Sequence, residues 1–308
     1  MKNTTTPPPA PASAPASAGG PAPPPPAVTA APEARGKRSG KILVRLAIGW
    51  LALVGLLAVF ADLLPIPSYD VRIDSPALGP SWDLAGLLGT DAVGRSTLSR
   101  LIYGARVSLA VGVVSVLIGM VIGGVLGLLA GYLRGWFEKV VTIVTDSLLA
   151  YPPLVLLLAI TSTLGSSLRS LVISLGLLCV PSFARLARAN TLAFAQREFV
   201  TASRALGGRP LRIIFREILP NVVLPVASYA FVFAAVVIVA EGSLSFLGMG
   251  IPPPSPSWGG MISTAKDRLG TQPHLVFIPA VTMFLTIFAL NVVGDRARTR
   301  FDVRESAL

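Results

Sequence analysis

The stretch QREFVTASRALGGRPLRIIFREILPNVVLP, residues 196–225, is a polar, basic interruption between long apolar segments. It predicts a short helix over 198–206, because the glycine pair at 207–208 is a typical helix stop. Pro210 suits the first turn of a second helix, which Leu219-Pro220 is expected to end. The second helix should carry one apolar stripe, formed by Leu211, Ile214, Phe215 and Ile218. The pattern fits either a docking surface for another protein or an ordinary solvated basic loop.

The spacing within this stretch resembles the EAA loop of inner-membrane permease subunits of binding-protein-dependent ABC importers. In that loop Glu-Ala-Ala is followed by a glycine and, further on, by Leu-Pro. Thr201-Ala202-Ser203, Gly207 and Leu219-Pro220 stand at the corresponding positions of this chain. The dipeptide and oligopeptide "C" permease subunits are similar well beyond the loop, over roughly residues 86 to 302.

Three positions depart from the family pattern. Thr201 replaces the Glu, Ser203 replaces the second Ala, and Glu217 replaces an Ile. Thr201 has no carboxylate with which to make the contact usually made by the Glu. Glu198 lies three residues before Thr201 on the same helical face, so its carboxylate could substitute.

The resemblance implies an all-α polytopic membrane protein with six transmembrane helices, a type I importer permease (MetI-like) fold and a cytoplasmic coupling helix. The implied partners are a homologous permease, two ABC ATPase subunits, which hold the ATP and Mg, and an extracytoplasmic substrate-binding protein. The implied substrates are di- or oligopeptides, although related permeases carry nickel chelates, haem-like cofactors or other small solutes. The residues implied in ATPase coupling are Glu198, Thr201, Ala202, Ser203, Arg204, Gly207, Leu219 and Pro220.

Composition indicates a membrane protein, since 53% of the 308 residues are hydrophobic and only 13% are charged, against about 25% charged residues in a soluble domain. The single cysteine, Cys179, excludes a disulfide framework. The single histidine, His274, leaves little for a zinc site or a catalytic triad, and we expect it at the membrane interface.

Six apolar segments have about the length needed to span a bilayer, at about 42–64, 107–131, 140–164, 169–189, 221–247 and 275–294. If the N-terminus lies on the cytoplasmic side of a bacterial plasma membrane, most of the 26 Lys and Arg residues also lie in the cytoplasm, as the positive-inside rule requires. Both termini are then cytoplasmic. The net charge of +11 reflects topology and lipid contact, and we expect no nucleic-acid partner.

These segments predict four regions of the chain. Residues 1–40 form a disordered Pro/Ala-rich cytoplasmic tail. Residues 41–106 hold the first span, an external loop and an interfacial helix that Thr90 or Asp91 caps. Residues 107–295 form the permease core, and 296–308 a second cytoplasmic tail.

The second external loop is rich in proline, and adjacent prolines favour extended polyproline geometry. We expect a stiff surface ridge there, and in the family this face meets the binding protein. The docking residues so implied are Pro253, Pro254 and Trp258.

The second apolar segment carries a small residue at every fourth position, which favours close helix packing in lipid. These glycines are Gly119, Gly123, Gly127 and Gly131. Two carboxylates in apolar segments are candidates for the gate or pathway. For Asp146, an ion pair with Arg185 or Arg188 is favoured over a pathway role. For Glu241, a gate or subunit contact and simple solvation at a helix end remain equal alternatives.

The chain contains no Gly-x-x-x-x-Gly-Lys-Ser/Thr loop, so energy for active transport must come from another polypeptide. The main alternative is a secondary transporter in which Asp146 and Glu241 couple an ion gradient to transport. An intramembrane enzyme would need a nucleophile–base or metal constellation, and one His, one Cys and two scattered carboxylates do not form one. We therefore predict a transport subunit rather than an enzyme, with no cofactor of its own.

Overall fold

The computed structural model describes the backbone of residues 34–305 and the side chains of residues 41–299. Within that part of the chain the only β-structure is two isolated bridges. The long helices are α1 (Ala34–Val59), α2 (Thr97–Leu133), α5 (Leu168–Phe194), α8 (Leu219–Phe246) and α10 (His274–Glu305). The short helices are α3 (Gly135–Ala150), α4 (Pro153–Leu164), α6 (Glu198–Ala205), α7 (Pro210–Ile213) and α9 (Trp258–Ala265).

Five helical segments in the described region are long and apolar enough to span a membrane, or six if α3 and α4 form one bent span. The prediction of six spans is confirmed on that basis. α3 and α4 meet at a bend of 94°. The bend follows from Pro152 and Pro153, since a proline lacks the N–H of the helix ladder and disfavours helical geometry in the residue before it.

Both ends of the described chain are more helical than predicted. The predicted tail over 1–40 lies outside the described residues as far as 33, but α1 already begins at Ala34. α10 continues through the predicted C-terminal tail to Glu305.

The prediction of a separate interfacial helix before the second span is wrong, because α2 is continuous from Thr97 to Leu133. Its N-cap is Ser96, whose hydroxyl accepts the Ser99 N–H. Asp91 instead organises the loop before α2. Its carboxylate accepts the N–H groups of Val93 and Arg95 at 2.8 and 2.9 Å.

The predicted helix end at Leu219-Pro220 is also wrong. The helix runs on from Pro210 to Phe246 through one π turn at Ile214–Ile218. Within that turn the Leu219 N–H bonds to the Ile214 carbonyl, one residue further back than in an α-helix. Pro220 follows and has no N–H to donate, so the wider turn lets the chain pass the proline without breaking the helix.

Residues around the C-terminal end of α1 satisfy its last carbonyl groups. Arg106 on α2 donates to the Ala58 and Val59 carbonyl oxygens at 2.8 and 3.2 Å. It also pairs with Asp62 at 2.9 Å. Hydrogen bonds from Arg106 and Tyr103 lower the pKa of the Asp62 carboxyl. α1 is thereby fastened to the start of α2.

The four predicted packing glycines, Gly119, Gly123, Gly127 and Gly131, all face α5 at backbone distance. A side chain at Gly119 would collide with Cys179, and one at Gly127 with the Ala184 carbonyl. At Gly131 the nearest neighbour would be Thr191, with its Cβ 2.8 Å away. Only glycine allows so close an approach of the two helices, which supplies the packing contact available in lipid.

Replacing Gly123 by alanine is expected to destabilise the protein. The added methyl group would overlap the Val180 carbonyl oxygen and lie 2.9 Å from the Ala184 nitrogen, so α2 and α5 would have to separate. Overpacking of this kind costs about 1–3 kcal/mol. The measurement is the unfolding temperature in detergent, which should fall.

Gly124 provides the matched control. An alanine there meets no atom within 4 Å, and alanine is about 1 kcal/mol better than glycine inside a helix. The unfolding temperature of Gly124→Ala should therefore stay level or rise. Equal falls in both variants would contradict the packing role of Gly123.

Candidate functional site

The site begins with α6, whose ends are set by local chemistry. Glu198 lies in its first turn, where a carboxylate is favourable against the positive end of the helix dipole. Gly207 ends the helix in the left-handed conformation, with φ of +78°. The Gly207 N–H bonds to the Arg204 carbonyl, and the Gly208 N–H to the Ser203 carbonyl, both at 3.0 Å. This Schellman motif makes α6 a short, firmly terminated rod.

One side chain anchors α6 to the rest of the molecule. Val200 is fully buried and belongs to the same apolar cluster as Ile213, Ile214 and Ile218. The other faces of α6 are open to its surroundings. The exposed residues are Glu198, Phe199, Thr201, Ala202, Arg204 and Ala205, while Ser203 is half-buried.

Exposed apolar side chains surround this helix. Leu206 is 89% exposed, Leu211 is 67% exposed and Phe215 is 61% exposed. The predicted stripe on the second helix is therefore divided, with Ile214 and Ile218 buried and its other two members outside. The π turn rotates the faces relative to an α-helix, which the sequence pattern did not reveal.

Leu219 and Pro220 lie in the first turn of α8, half-buried and exposed respectively. They form part of a continuous helix rather than a loop beside α6. Their position gives α6 a direct connection, through α7 and the π turn, to a membrane span.

Asp146 forms an ion pair with Arg185 at 2.7 Å. Both side chains are more than half exposed, so the pair lies at the edge of the helix bundle. A second pair joins Glu138 to Arg188, with Nε 2.9 Å from the carboxylate. Both pairs connect α3 to α5, and the structure thus chooses Arg185 of the two partners left open by the sequence.

Glu241 is fully buried, so solvation at a helix end is excluded. Its Oε1 accepts hydrogen bonds at 2.8 Å from Ser245, one turn later, and from Ser257. The Ser257 hydroxyl in turn accepts the Gly260 N–H at 3.0 Å and caps α9. Glu241 therefore fastens α9 onto α8, where the two backbones meet at Gly242 and Gly259.

The proline-rich loop before α9 is not the predicted ridge. Trp258 is fully buried, with its indole N–H bonded to the Leu101 carbonyl at 3.1 Å, so it offers no docking surface. Pro253 and Pro254 are exposed, but they lie in a turn rather than an extended segment. The short helix α9 begins shortly after this turn, and the buried Ser257 hydroxyl caps it. His274 is half-buried at the start of α10.

Arg100 is a residue that sequence reasoning missed. It is buried, pairs with Asp91 at 3.2 Å and donates to the Pro254 carbonyl at 3.2 Å. It also donates to the Tyr69 carbonyl at 3.3 Å. Arg100 thus joins the loop before α2 to the loop before α9.

Residues 123–306 match the family model described as "Binding-protein-dependent transport system inner membrane component". The chain belongs to this family. It is an inner-membrane permease subunit of an ABC importer, of the peptide-type subfamily, and a multi-pass membrane protein.

Two relatives show how far the similarity extends. The glutathione transport system permease protein GsiD of Shigella flexneri is 39% identical over 257 residues, covering 82% of this chain and 84% of its own. The protein of the same name from Pectobacterium atrosepticum is 39% identical over 224 residues, covering 73% and 74%.

Solved structures of the MetNI methionine ABC transporter in inward-facing conformations share the fold. One of their chains aligns with a TM-score of 0.54 at 20% identity, covering 66% of this chain and 96% of its own. A second crystal form gives a TM-score of 0.55 at 19% identity. The predicted type I importer permease fold is thereby confirmed.

Removing the Glu241 carboxylate is expected to loosen α9. Glu241→Ala leaves the Ser245 and Ser257 hydroxyls without their acceptor in a buried site, which costs about 1–3 kcal/mol per unsatisfied group. The unfolding temperature in detergent should fall, and Glu241→Gln, which keeps an oxygen acceptor, should fall less.

Ser243→Ala serves as the control, because the Ser243 hydroxyl bonds only to the Val239 carbonyl of its own helix. Its unfolding temperature should stay near that of the unmodified protein. If Glu241→Ala were as stable as this control, the carboxylate would not be what holds α9.

Proposed function

We propose that this permease forms half of the translocation pathway of an ATP-driven importer for di- or oligopeptides. A homologous permease supplies the other half, and two ABC ATPase subunits hold ATP and Mg and hydrolyse the nucleotide. The observation that carries the proposal is α6, a rigid helix with one buried anchor and an otherwise exposed surface. Thr201 and Ala202 lie on that surface and dock in a groove of the ATPase, while the Arg204 side chain lies against the Tyr132 ring.

The proposed coupling follows the buried contacts behind α6. When the ATPases close on ATP, the displacement of α6 passes through Val200 to Ile213 and Ile218, which lie at the inner end of the span formed by α8. It also passes through the backbone into α5, since the Arg197 N–H bonds to the Phe194 carbonyl at 3.1 Å. Rigid elements with two arrangements transmit such motions.

Glu198 takes the role of the glutamate that the family motif places at Thr201. Its carboxylate is exposed in the first turn of α6, one turn before Thr201 on the same face. An exposed carboxylate there can pair with a cationic side chain of the ATPase, while the Thr201 hydroxyl bonds back to the Arg197 carbonyl at 3.3 Å.

In the proposed orientation, α6 and both termini lie in the cytoplasm, which the distribution of Lys and Arg favours. The loops that precede α2 and α9 then face outward and meet a substrate-binding protein, with Pro253 and Pro254 on the exposed turn. Peptide-like substrates are supported by the similarity to permeases named for glutathione transport.

Photo-crosslinking tests the docking of α6. A photoreactive amino acid at Ala202 should crosslink to an ATPase subunit in membranes of the source bacterium, because this position is exposed on α6. The same amino acid at Arg169, exposed at the opposite end of α5, should not. Mass spectrometry identifies the products. Absence of any nucleotide-binding protein at position 202, with normal uptake, would refute the proposal.

The turn at Gly207 should determine how tightly hydrolysis is coupled to uptake. Gly207→Val places a β-branched residue at φ of +78°, where the backbone rather than the space resists it, since no atom lies within 4 Å of the new Cβ. We expect retained ATP hydrolysis with uptake reduced about tenfold, from a strain on the order of 1–2 kcal/mol.

Gly207→Asn is the matched variant, because asparagine tolerates the left-handed conformation better than valine. Uptake per ATP hydrolysed should lie close to the unmodified value for Asn and well below it for Val. Equal ratios for the two variants would show that the conformation of residue 207 plays no part in coupling.

A further inference from the structure

An open cavity of about 570 Å³ lies between the end of α2 and α6. Its size falls within the range of roughly 300–1,000 Å³ typical of small-molecule sites. Its walls come from the α2–α3 junction and from the chain that enters and forms α6. The lining residues are Tyr132, Arg134, Ala195, Gln196, Thr201 and Arg204.

The lining of this cavity is cationic. Two guanidinium groups, Arg134 and Arg204, contribute to it, and no carboxylate does. Among residues with described side chains, neither arginine has an acidic partner within salt-bridge distance. The nearby Glu138 is occupied by Arg188. Arg204 is held in place over the Tyr132 ring, 5.3 Å from its centroid.

The hydrogen-bonding groups of the lining suit a phosphate oxygen. Beside the two arginines, the lining contains Gln196 and Tyr132, whose carboxamide and hydroxyl groups can donate hydrogen bonds. Arginine binds phosphate with two parallel N–H groups, and such charge-assisted bonds are about twice as strong as neutral ones.

The surroundings of the cavity match the headgroup level of a bilayer. α2 ends at Leu133, and the next turn exposes Trp136 by 74% beside Lys139. Exposed aromatic and basic residues at the end of an apolar span are typical of the membrane interface. Leu133 itself is 56% exposed, which offers an apolar surface to an acyl chain.

We infer that this cavity binds the phosphate group of an anionic phospholipid. Arg134, on the membrane-anchored α2–α3 junction, and Arg204, on the coupling helix, hold the phosphate from two sides. A bound lipid therefore joins α6 to the end of α2. The lipid composition of the membrane then affects how firmly α6 is held in its position. The site does not depend on which subunit docks on α6.

Native mass spectrometry of the full-length protein, purified in detergent and titrated with phosphatidylglycerol or phosphatidylcholine, tests this inference. One phosphatidylglycerol should be retained in preference to phosphatidylcholine. Arg134→Gln should weaken retention about tenfold, whereas Arg134→Lys, which keeps the charge but not the paired N–H groups, should weaken it less. Arg216→Gln removes an exposed arginine outside the cavity and should leave retention unchanged.

Competition with soluble glycerol phosphate distinguishes the source of the phosphate. If glycerol phosphate fails to displace the lipid, the acyl chains contribute and the lipid assignment stands. If glycerol phosphate binds in an Arg134-dependent manner while phosphatidylglycerol is not retained, the lipid assignment is overturned in favour of a soluble phosphate compound. Equal retention of phosphatidylglycerol by Arg134→Gln and the unmodified protein would overturn the site itself. These readouts do not require ATPase docking, so they stand apart from the crosslinking result.

Discussion

The backbone contact between α2 and α5 is the constraint on which the rest of the structure depends. In a bilayer no water drives helices together, so their association rests on close van der Waals packing and on polar groups. The glycine row of α2 leaves no room for a side chain between the two helices. Ser115 adds a hydrogen bond to the Val172 carbonyl at 3.1 Å. Helices held this closely move together, whereas helices separated by long side chains can slide past one another.

Because α2 and α5 are held together rigidly, a displacement of α6 can be transmitted to the membrane spans. The chain leaves α5 at Phe194 and reaches α6 within a few residues that are themselves hydrogen-bonded. Val200 then joins α6 to the apolar cluster at the start of the α7–α8 span. A force on this short helix therefore reaches two membrane spans, one through the backbone and one through packed side chains. A flexible loop in its place would absorb the displacement.

Features set by neighbouring residues could be predicted from the sequence, and features set by distant contacts could not. The glycine stop after α6 and Pro210 at the start of α7 act locally, so both were visible. The burial of Glu241 depends on Ser257, sixteen residues later on another element. The π turn arises where Pro220 must be accommodated while Ile218 stays buried. Hydrophobic periodicity contains no information about such compromises between packing and backbone bonding.

The contacts around the loops before α2 and α9 differ in kind from the contact between α2 and α5. This difference limits where the helices can separate. Around the loops before α2 and α9, a few buried polar residues hold the parts together, with Arg100 joining the loops and Glu241 holding α9. Such directional bonds are either made or broken, so they suit an element with two positions. The α2–α5 contact is continuous over several turns and would lose many small contacts at once. Opening by separation at α9 therefore needs fewer contacts to change than opening between α2 and α5.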